Sequence, residues 1–381
     1  MPRRLLLRAS GARNRAEGLS QRIRNPPGRW RLVAFCLLVF LVVIGFQGFV
    51  THTIGTSTEP HPKAGAPAPL LGDRPFLATS GDRLRPRQPR VGRRIALTFD
   101  DGPDAKWTPR IEAVLRREHV PGTFFVIGSE AARHPDIVRR VAREGNELGN
   151  HTFTHTSLSD GPLWQRRQQL SLTEAILVGI TGQYTRLVRP PYSATTDAID
   201  PRQERELAKV AGRRYFIVLT DLDSEDWTRR GVGRILGRAT PRGGHGGIIM
   251  FHDGGGDRSQ TVVALSKLIP SLKSRGFRFV TVSELAGLSP SVTHPGAPAA
   301  DNRRGKAFAW SVRLAFALTA FFVGLILAVG VLVAVRALLL LALASHHTRS
   351  TRRVAIGAVE YLPSVSVIVP AYNEAVGIGS A

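Results

Sequence analysis

The chain has 381 residues, 43% of them hydrophobic, and a formal charge of +23, enough for one large core and part of a second. Its single cysteine, Cys36, lies in an apolar run and excludes an intrachain disulfide framework. The charge resembles that of a nucleic-acid binder, but the basic residues adjoin apolar spans where anionic lipid accounts for them, which excludes that class.

In chain order, residues 1–31 form an arginine-rich tail that stops at an uncharged segment, 32–50. That segment spans about 19 residues, long enough to cross a bilayer core. Residues 51–90, rich in Pro, Gly and Ala and without periodicity, read as an extended linker. The folded unit is expected over 91–287, the size of one domain. A second linker covers 288–313, and a second uncharged run, 314–335, is followed by Arg336, Arg349, Arg352 and Arg353 in the segment 336–381. Basic residues flank the outer ends of both runs, which predicts two transmembrane helices, both termini cytoplasmic, and the folded unit outside the cytoplasmic membrane, with membrane lipids as partners. Arg303, Arg304, Lys306 and Arg313 lie against that bias. A cleavable signal peptide is the competing reading of the first run, but its basic leader is long and no small-x-small site follows Val50.

Within 91–287, strands are expected at 95–99, 123–127, 147–150, 187–189, 215–219, 247–251 and 278–281. Helices are expected at 108–118, 135–143, 164–180, 201–211, 232–238 and 259–275, with Asp200 as an N-cap. About seven β-α alternations predict an α/β fold on a parallel sheet, either closed as a barrel or open and doubly wound.

Each polar cluster follows one of these strands. Asp100 and Asp101 follow the first, in "IALTFDDGPD"; His151 and His155, in "GNHTFTH", the third; Arg189 ends the fourth in "VRPPY". Asp226 and Trp227, in "DLDSEDW", follow the fifth, and His252 with Asp253, in "IIMFHDGGG", the sixth. Taken singly, these are turn formers, surface histidines or a rigid Arg-Pro-Pro turn. Loops after parallel strands share one face of the sheet, however, so all of them converge there. Adjacent carboxylates repel, and a metal ion or an arginine offsets that. Two histidines and one aspartate of the pair would hold a divalent metal with open positions, one that acidifies water and polarises a carbonyl. The other aspartate is left as general base, with Arg189 to keep it ionised. His252 stands where a general acid would, with Asp226 to orient or charge it. The chemistry expected is metal-assisted acyl hydrolysis.

"TFDDGP", "HTFTH", "RPPY", "DSEDW" and "MFHD" resemble, in order, the five motifs of the polysaccharide deacetylases, carbohydrate esterase family 4, over roughly residues 94–285. The resemblance implies a distorted (β/α) barrel of about seven parallel strands that removes acetyl groups from N-acetylglucosamine-containing polysaccharides. It implies Asp100 as base and Asp101, His151 and His155 as ligands of a divalent metal, usually zinc, with cobalt or nickel also fitting the donors. It further implies the Tyr192 backbone N–H in the oxyanion site, Arg189 tuning the base, His252 as acid with Asp226, and Trp227 walling the acetyl pocket. The family commonly has glycine where Ser193 stands, which bears on the oxyanion site. An O-acetyl glycan esterase and a silent, membrane-tethered glycan binder are the alternatives. A short segment, "PSVSVIVPAYNEAVGIG" at 363–379, resembles the first strand and turn of family 2 glycosyltransferases. A truncated or divided bifunctional deacetylase and glycosyltransferase is therefore expected.

Overall fold

The computed structural model describes residues 28–48, 75–81, 83–87, 91–193 and 195–351. The glycosyltransferase-like stretch 363–379 lies outside them, as does most of the basic tail. The chain divides into two units, Met1–Ala320 and Phe321–Ala381.

The first unit is built on a ten-stranded curled sheet. Its strands are β1 (Phe76–Ser80), β2 (Arg83–Pro86), β3 (Arg94–Asp100), β4 (Thr123–Val126), β5 (Glu147–Asn150), β6 (Leu187–Val188), β7 (Phe216–Val218), β8 (Leu222–Asp223), β9 (Gly247–His252) and β10 (Arg278–Phe279). The order is β2-β1-β7-β6-β5-β4-β3-β9-β8, with β10 pairing β3. β3 and β9 are nearly continuous apolar runs, "RIALTFD" and "GIIMFH", because a central parallel strand is covered on both faces. They pair in register from Ile95 and Gly247 to Asp100 and His252, so the polar residues that end the two strands lie side by side. The expected strand at 215–219 is observed as β7, and a further short strand, β8, follows it at Leu222–Asp223. β7 pairs β6 in parallel and β8 pairs β9 in parallel, so one stretch of chain draws the two ends of the parallel sheet round toward each other.

The helices are α1 (Gly28–Gly48), α2 (Trp107–Arg117), α3 (Gly128–Arg133), α4 (Pro135–Arg143), α5 (Leu163–Thr181), α6 (Pro201–Ala211), α7 (Val232–Ala239), α8 (Ser259–Ser274), α9 (Val282–Leu285), α10 (Pro290–Thr293) and α11 (Ala299–Thr351). Asp200 caps α6 as expected: its carboxylate accepts from the N–H groups of Arg202 at 2.7 Å and Gln203 at 2.8 Å. The main core lies between β3, β4, β9 and helices α2, α4, α5 and α8, with Phe99, Phe124, Phe251, Leu268 and Ile269 buried in it.

Two stretches expected as linkers are structured. Residues 76–86, within the expected linker 51–90, form the β1–β2 hairpin, and β1 adds antiparallel to β7. Phe76, Leu77 and Leu84 are fully buried there, and that apolar burial, roughly 25 cal/mol per Å², outweighs the turn-rich composition. Residues 288–313 likewise pack on the first unit instead of spacing it from the second span. The stretch 293–297 pairs with 182–186 through Arg186 N–H to Thr293 O at 2.8 Å and Tyr184 N–H to Pro295 O at 3.0 Å. The first turns of α11 then bury Ala309 and Val312 in the main core.

From Phe321 onward α11 is apolar and exposed, with Leu332, Leu338 and Leu343 each more than three-fifths accessible. Among the described residues, the helix Ala299–Arg349 alone is long and apolar enough to cross a membrane by length and composition. The first expected span falls on α1, a helix of 21 residues.

Candidate active site

The expected site residues gather at the C-terminal ends of the parallel strands. At the end of β3, Asp100 is buried and its Oδ1 accepts from Arg189 Nη1 at 2.8 Å. Arg189 is fully buried. It also donates from Nη1 to Thr98 Oγ1 at 2.7 Å and from Nε to the Val218 carbonyl at 3.2 Å, and it stacks over Phe125 at 4.3 Å. Burial draws the guanidinium pKa down, and the adjacent Asp100 carboxylate opposes that.

Asp101 turns the other way. Its Oδ1 lies 3.4 Å from His151 Nε2 and 3.1 Å from His155 Nε2, and the three donor atoms lie within 4.8 Å of one another. His151 Nδ1 is 2.8 Å from the Arg189 carbonyl, and only a protonated Nδ1 can donate to it, which leaves the Nε2 lone pair facing Asp101. His155 Nδ1 meets the Tyr192 hydroxyl at 3.1 Å. Burial favours the neutral carboxyl of Asp101, but as long as no ion lies between them the His151 and His155 rings, when they present N–H to it, and the charge of His252 outweigh burial and hold the group well below the ordinary carboxylate range.

Several non-glycine residues here have left-handed backbones: Asp101 (φ 74°), Thr152 (68°), His155 (58°) and Tyr192 (61°). Such strain persists where surrounding structure fixes it, commonly at functional sites. The left-handed residue of the "RPPYS" turn is Tyr192 and not Ser193, so serine in place of glycine meets no backbone penalty there.

At the end of β9, His252 Nδ1 is 2.7 Å from Asp226 Oδ1, and Asp226 Oδ2 accepts from Thr261 Oγ1 at 2.7 Å and His252 N at 3.0 Å. Burial favours neutral imidazole, but Asp226 foremost, with Asp101 and Asp100, raises the His252 pKa to about 9. Trp227 stands exposed on the short turn that carries Asp226.

One buried carboxyl in the site has no role in the sequence reading. Asp253 packs beneath Gly102 so closely that a Cβ on residue 102 would lie 2.1 Å from its Oδ2. Thr108 Oγ1 donates to that oxygen at 2.5 Å, and burial pushes the carboxyl up to about 8. Thr98, Thr261 and Thr108 were also invisible in the sequence, because a neutral hydroxyl carries no charge pattern.

A family model described as polysaccharide deacetylase matches residues 87–215. A peptidoglycan-N-acetylglucosamine deacetylase of Bacillus cereus is 40% identical over 196 residues, which cover 50% of this chain and 87% of that protein. The chain belongs to the polysaccharide deacetylase family. A chitooligosaccharide deacetylase of Sinorhizobium fredii is 36% identical over 206 residues, covering 51% of this chain and 93% of the relative. The solved peptidoglycan deacetylase PdaC of Bacillus subtilis aligns with a TM-score of 0.45 at 33% identity, over 51% of this chain and 91% of that one.

As a member of that family the protein is a deacetylase, a hydrolase, and polysaccharide deacetylases depend on a metal. The residues present fit one. Asp101 Oδ1 is buried and forms no hydrogen bond, and the Nδ1 atoms of both histidines are occupied, which leaves one oxygen and two Nε2 atoms converging as donors.

Proposed function

We propose that the protein removes N-acetyl groups from N-acetylglucosamine-containing glycans outside the cytoplasmic membrane. The observation that carries the reading is the convergence of three units at one end of the sheet: the Asp101–His151–His155 donors, the Asp100–Arg189 pair and the His252–Asp226 pair. The relatives named for peptidoglycan N-acetylglucosamine and for chitooligosaccharide share that amide as target chemistry.

In this reading Asp101, His151 and His155 hold a divalent ion, zinc by the resemblance, with cobalt or nickel also fitting the donors. When bound, the ion supplies Lewis acidity to an attacking water and to the acetyl carbonyl. Asp100, ion-paired with Arg189 at 2.8 Å, takes the water's proton as general base. The Tyr192 backbone N–H faces the developing oxyanion. His252, charged by Asp226, gives its proton to the departing amine, which leaves poorly without one. Trp227 walls the acetyl group. The apolar helix Ala299–Arg349, with α1, anchors the domain to the cytoplasmic membrane, both termini inside.

Acetate release from chitotetraose by the full chain in detergent with added zinc tests the reading. Wild type releases acetate and Asp100→Asn does not, while zinc remains bound to both. Zinc binding without release from wild type would reject the deacetylase assignment for this substrate.

A further inference from the structure

An open groove of about 800 Å³ lies between the start of α5 and the end of α6, and runs to the residues that lead into the N-terminal end of β7. Its rim carries Trp164, which is 56% exposed, and four exposed cations, Arg167, Lys209, Arg213 and Arg214. A lone exposed tryptophan needs no explanation; its company does. Lys209 pairs with Glu206 at 2.8 Å and Arg214 with Glu174, but Arg167 and Arg213 belong to no ion pair among the described residues. Arg167 donates only to the Lys209 carbonyl, at 3.2 Å. The groove therefore keeps an unbalanced positive charge next to an open aromatic face.

α5 starts just beyond the loop that follows His155, and Arg166 binds that loop to the helix by donating to the Leu158 carbonyl at 2.9 Å. We propose that the groove is a second glycan-binding site, which holds an acidic stretch of the polysaccharide away from the reacting sugar. The indole of Trp164 covers the apolar face of a pyranose ring, and Arg167 and Arg213 pair with carboxylates. Each exposed ion pair contributes little by itself. The gain comes from engaging one polymer at two places, which raises the effective concentration of its acetyl groups at the metal site. The choice of glycan as occupant rests on the deacetylase reading; the anionic preference rests on the groove alone.

Binding is read by affinity electrophoresis of the full chain in detergent, in the Asp100→Asn background so that nothing is turned over. The probes are carboxymethyl chitin, an acidic polymer, and glycol chitin, a neutral one. At low salt the acidic polymer binds roughly tenfold tighter, a difference of about 1.4 kcal/mol. Arg167→Gln with Arg213→Gln removes that preference, and Trp164→Ala weakens both polymers roughly three- to tenfold. In the otherwise wild-type enzyme the same changes leave acetate release from chitotetraose within about twofold, because a short oligomer cannot reach both places. Equal binding of the two polymers by the parent, unaltered binding by the variants, or a parallel loss on chitotetraose would overturn the proposal. Failure of wild type to cleave chitotetraose would reject the deacetylase reading while the binding results still decide this one.

Discussion

His155 is the most exposed of the three candidate donors, its side chain 28% accessible against 4% for His151, and one contact orients its ring. The Tyr192 hydroxyl holds Nδ1 at 3.1 Å, and the two rings meet edge on. Partners of this kind fix the tautomer and direction of a ligand, and losing one typically costs 10–100-fold in metal affinity. Tyr192→Phe should therefore weaken zinc binding roughly tenfold in a chelator competition while the melting curve stays close to wild type. Unchanged zinc affinity would show that the hydroxyl is incidental. His252 carries the pH dependence. Its folded pKa, about 9, lies above the ordinary 6.5 because Asp226 and the nearby aspartates outweigh burial, so the charged imidazole is favoured in the folded state. That stabilisation is complete below pH 6.5 and disappears as the pH rises through about 9. Asp226→Asn should flatten thermal stability across this window and move the alkaline limb of the activity profile down by at least about one unit. Profiles that coincide with wild type would dissociate Asp226 from the acid. That the candidate ligands, base and acid converge was legible in the sequence, because charged residues after parallel strands share a face. Tyr192's second contact was not, and neither was Thr98, 91 residues from the Arg189 it receives.

At the scale of elements, strand and helix bounds followed hydrophobic period closely, and α4 and α6 lie where the pattern put them. The misses are stretches where composition masks period. "FLATSGDRLRP" reads as linker because it lies in a stretch rich in Pro, Gly and Ala and without periodicity, yet Phe76, Leu77 and Leu84 are buried. Residues 288–313 read as a linker and Leu314 onward as the second span, but Gly305, Ala309, Val312 and Phe316 recur at helical spacing and form the face that packs into the first unit's core. The contact between α5 and α11 is glycine on glycine. A Cβ at residue 179 would lie 2.3 Å from the Gly305 carbonyl carbon, and one at 305 would lie 2.4 Å from the Ala175 oxygen. Backbone on both sides cannot yield, so Gly305→Ala should destabilise the first unit by ~1–3 kcal/mol even though alanine favours helix by about 1 kcal/mol. Gly237→Ala on α7, where nothing lies within 4 Å, should raise stability by about 0.5–1 kcal/mol. Urea unfolding of both variants separates the cases; a stabilised Gly305→Ala would mean that the two helices part easily.

At the scale of the whole molecule, the boundary expected at 91–287 cuts through the fold. It removes the β1–β2 hairpin, which covers the outer edge of β7 and buries Phe76 against Phe216 with ring centroids 5.3 Å apart. It also removes the pairing of 293–297 with 182–186, the Asp301 carboxylate that accepts from the Tyr184 hydroxyl at 2.5 Å, and the stacking of Arg133 on Phe316 at 4.1 Å. Stripping these leaves Leu77's partners in the second core, the Phe153 ring and the outer face of α5 open to water. Each large apolar side chain left unburied forgoes about 1.5–3 kcal/mol, and several of them together rival the whole stability of a domain, about 5–15 kcal/mol. A chain of residues 75–320 should therefore unfold in one cooperative transition and bind zinc, whereas residues 91–287 should aggregate or melt without cooperativity, although both contain every candidate donor. Circular dichroism melts with zinc titration distinguish them. Equal cooperativity in the two chains would mean that the hairpin and the early turns of α11 rest on the first unit without stabilising it, and the site would then owe its geometry to the parallel sheet alone.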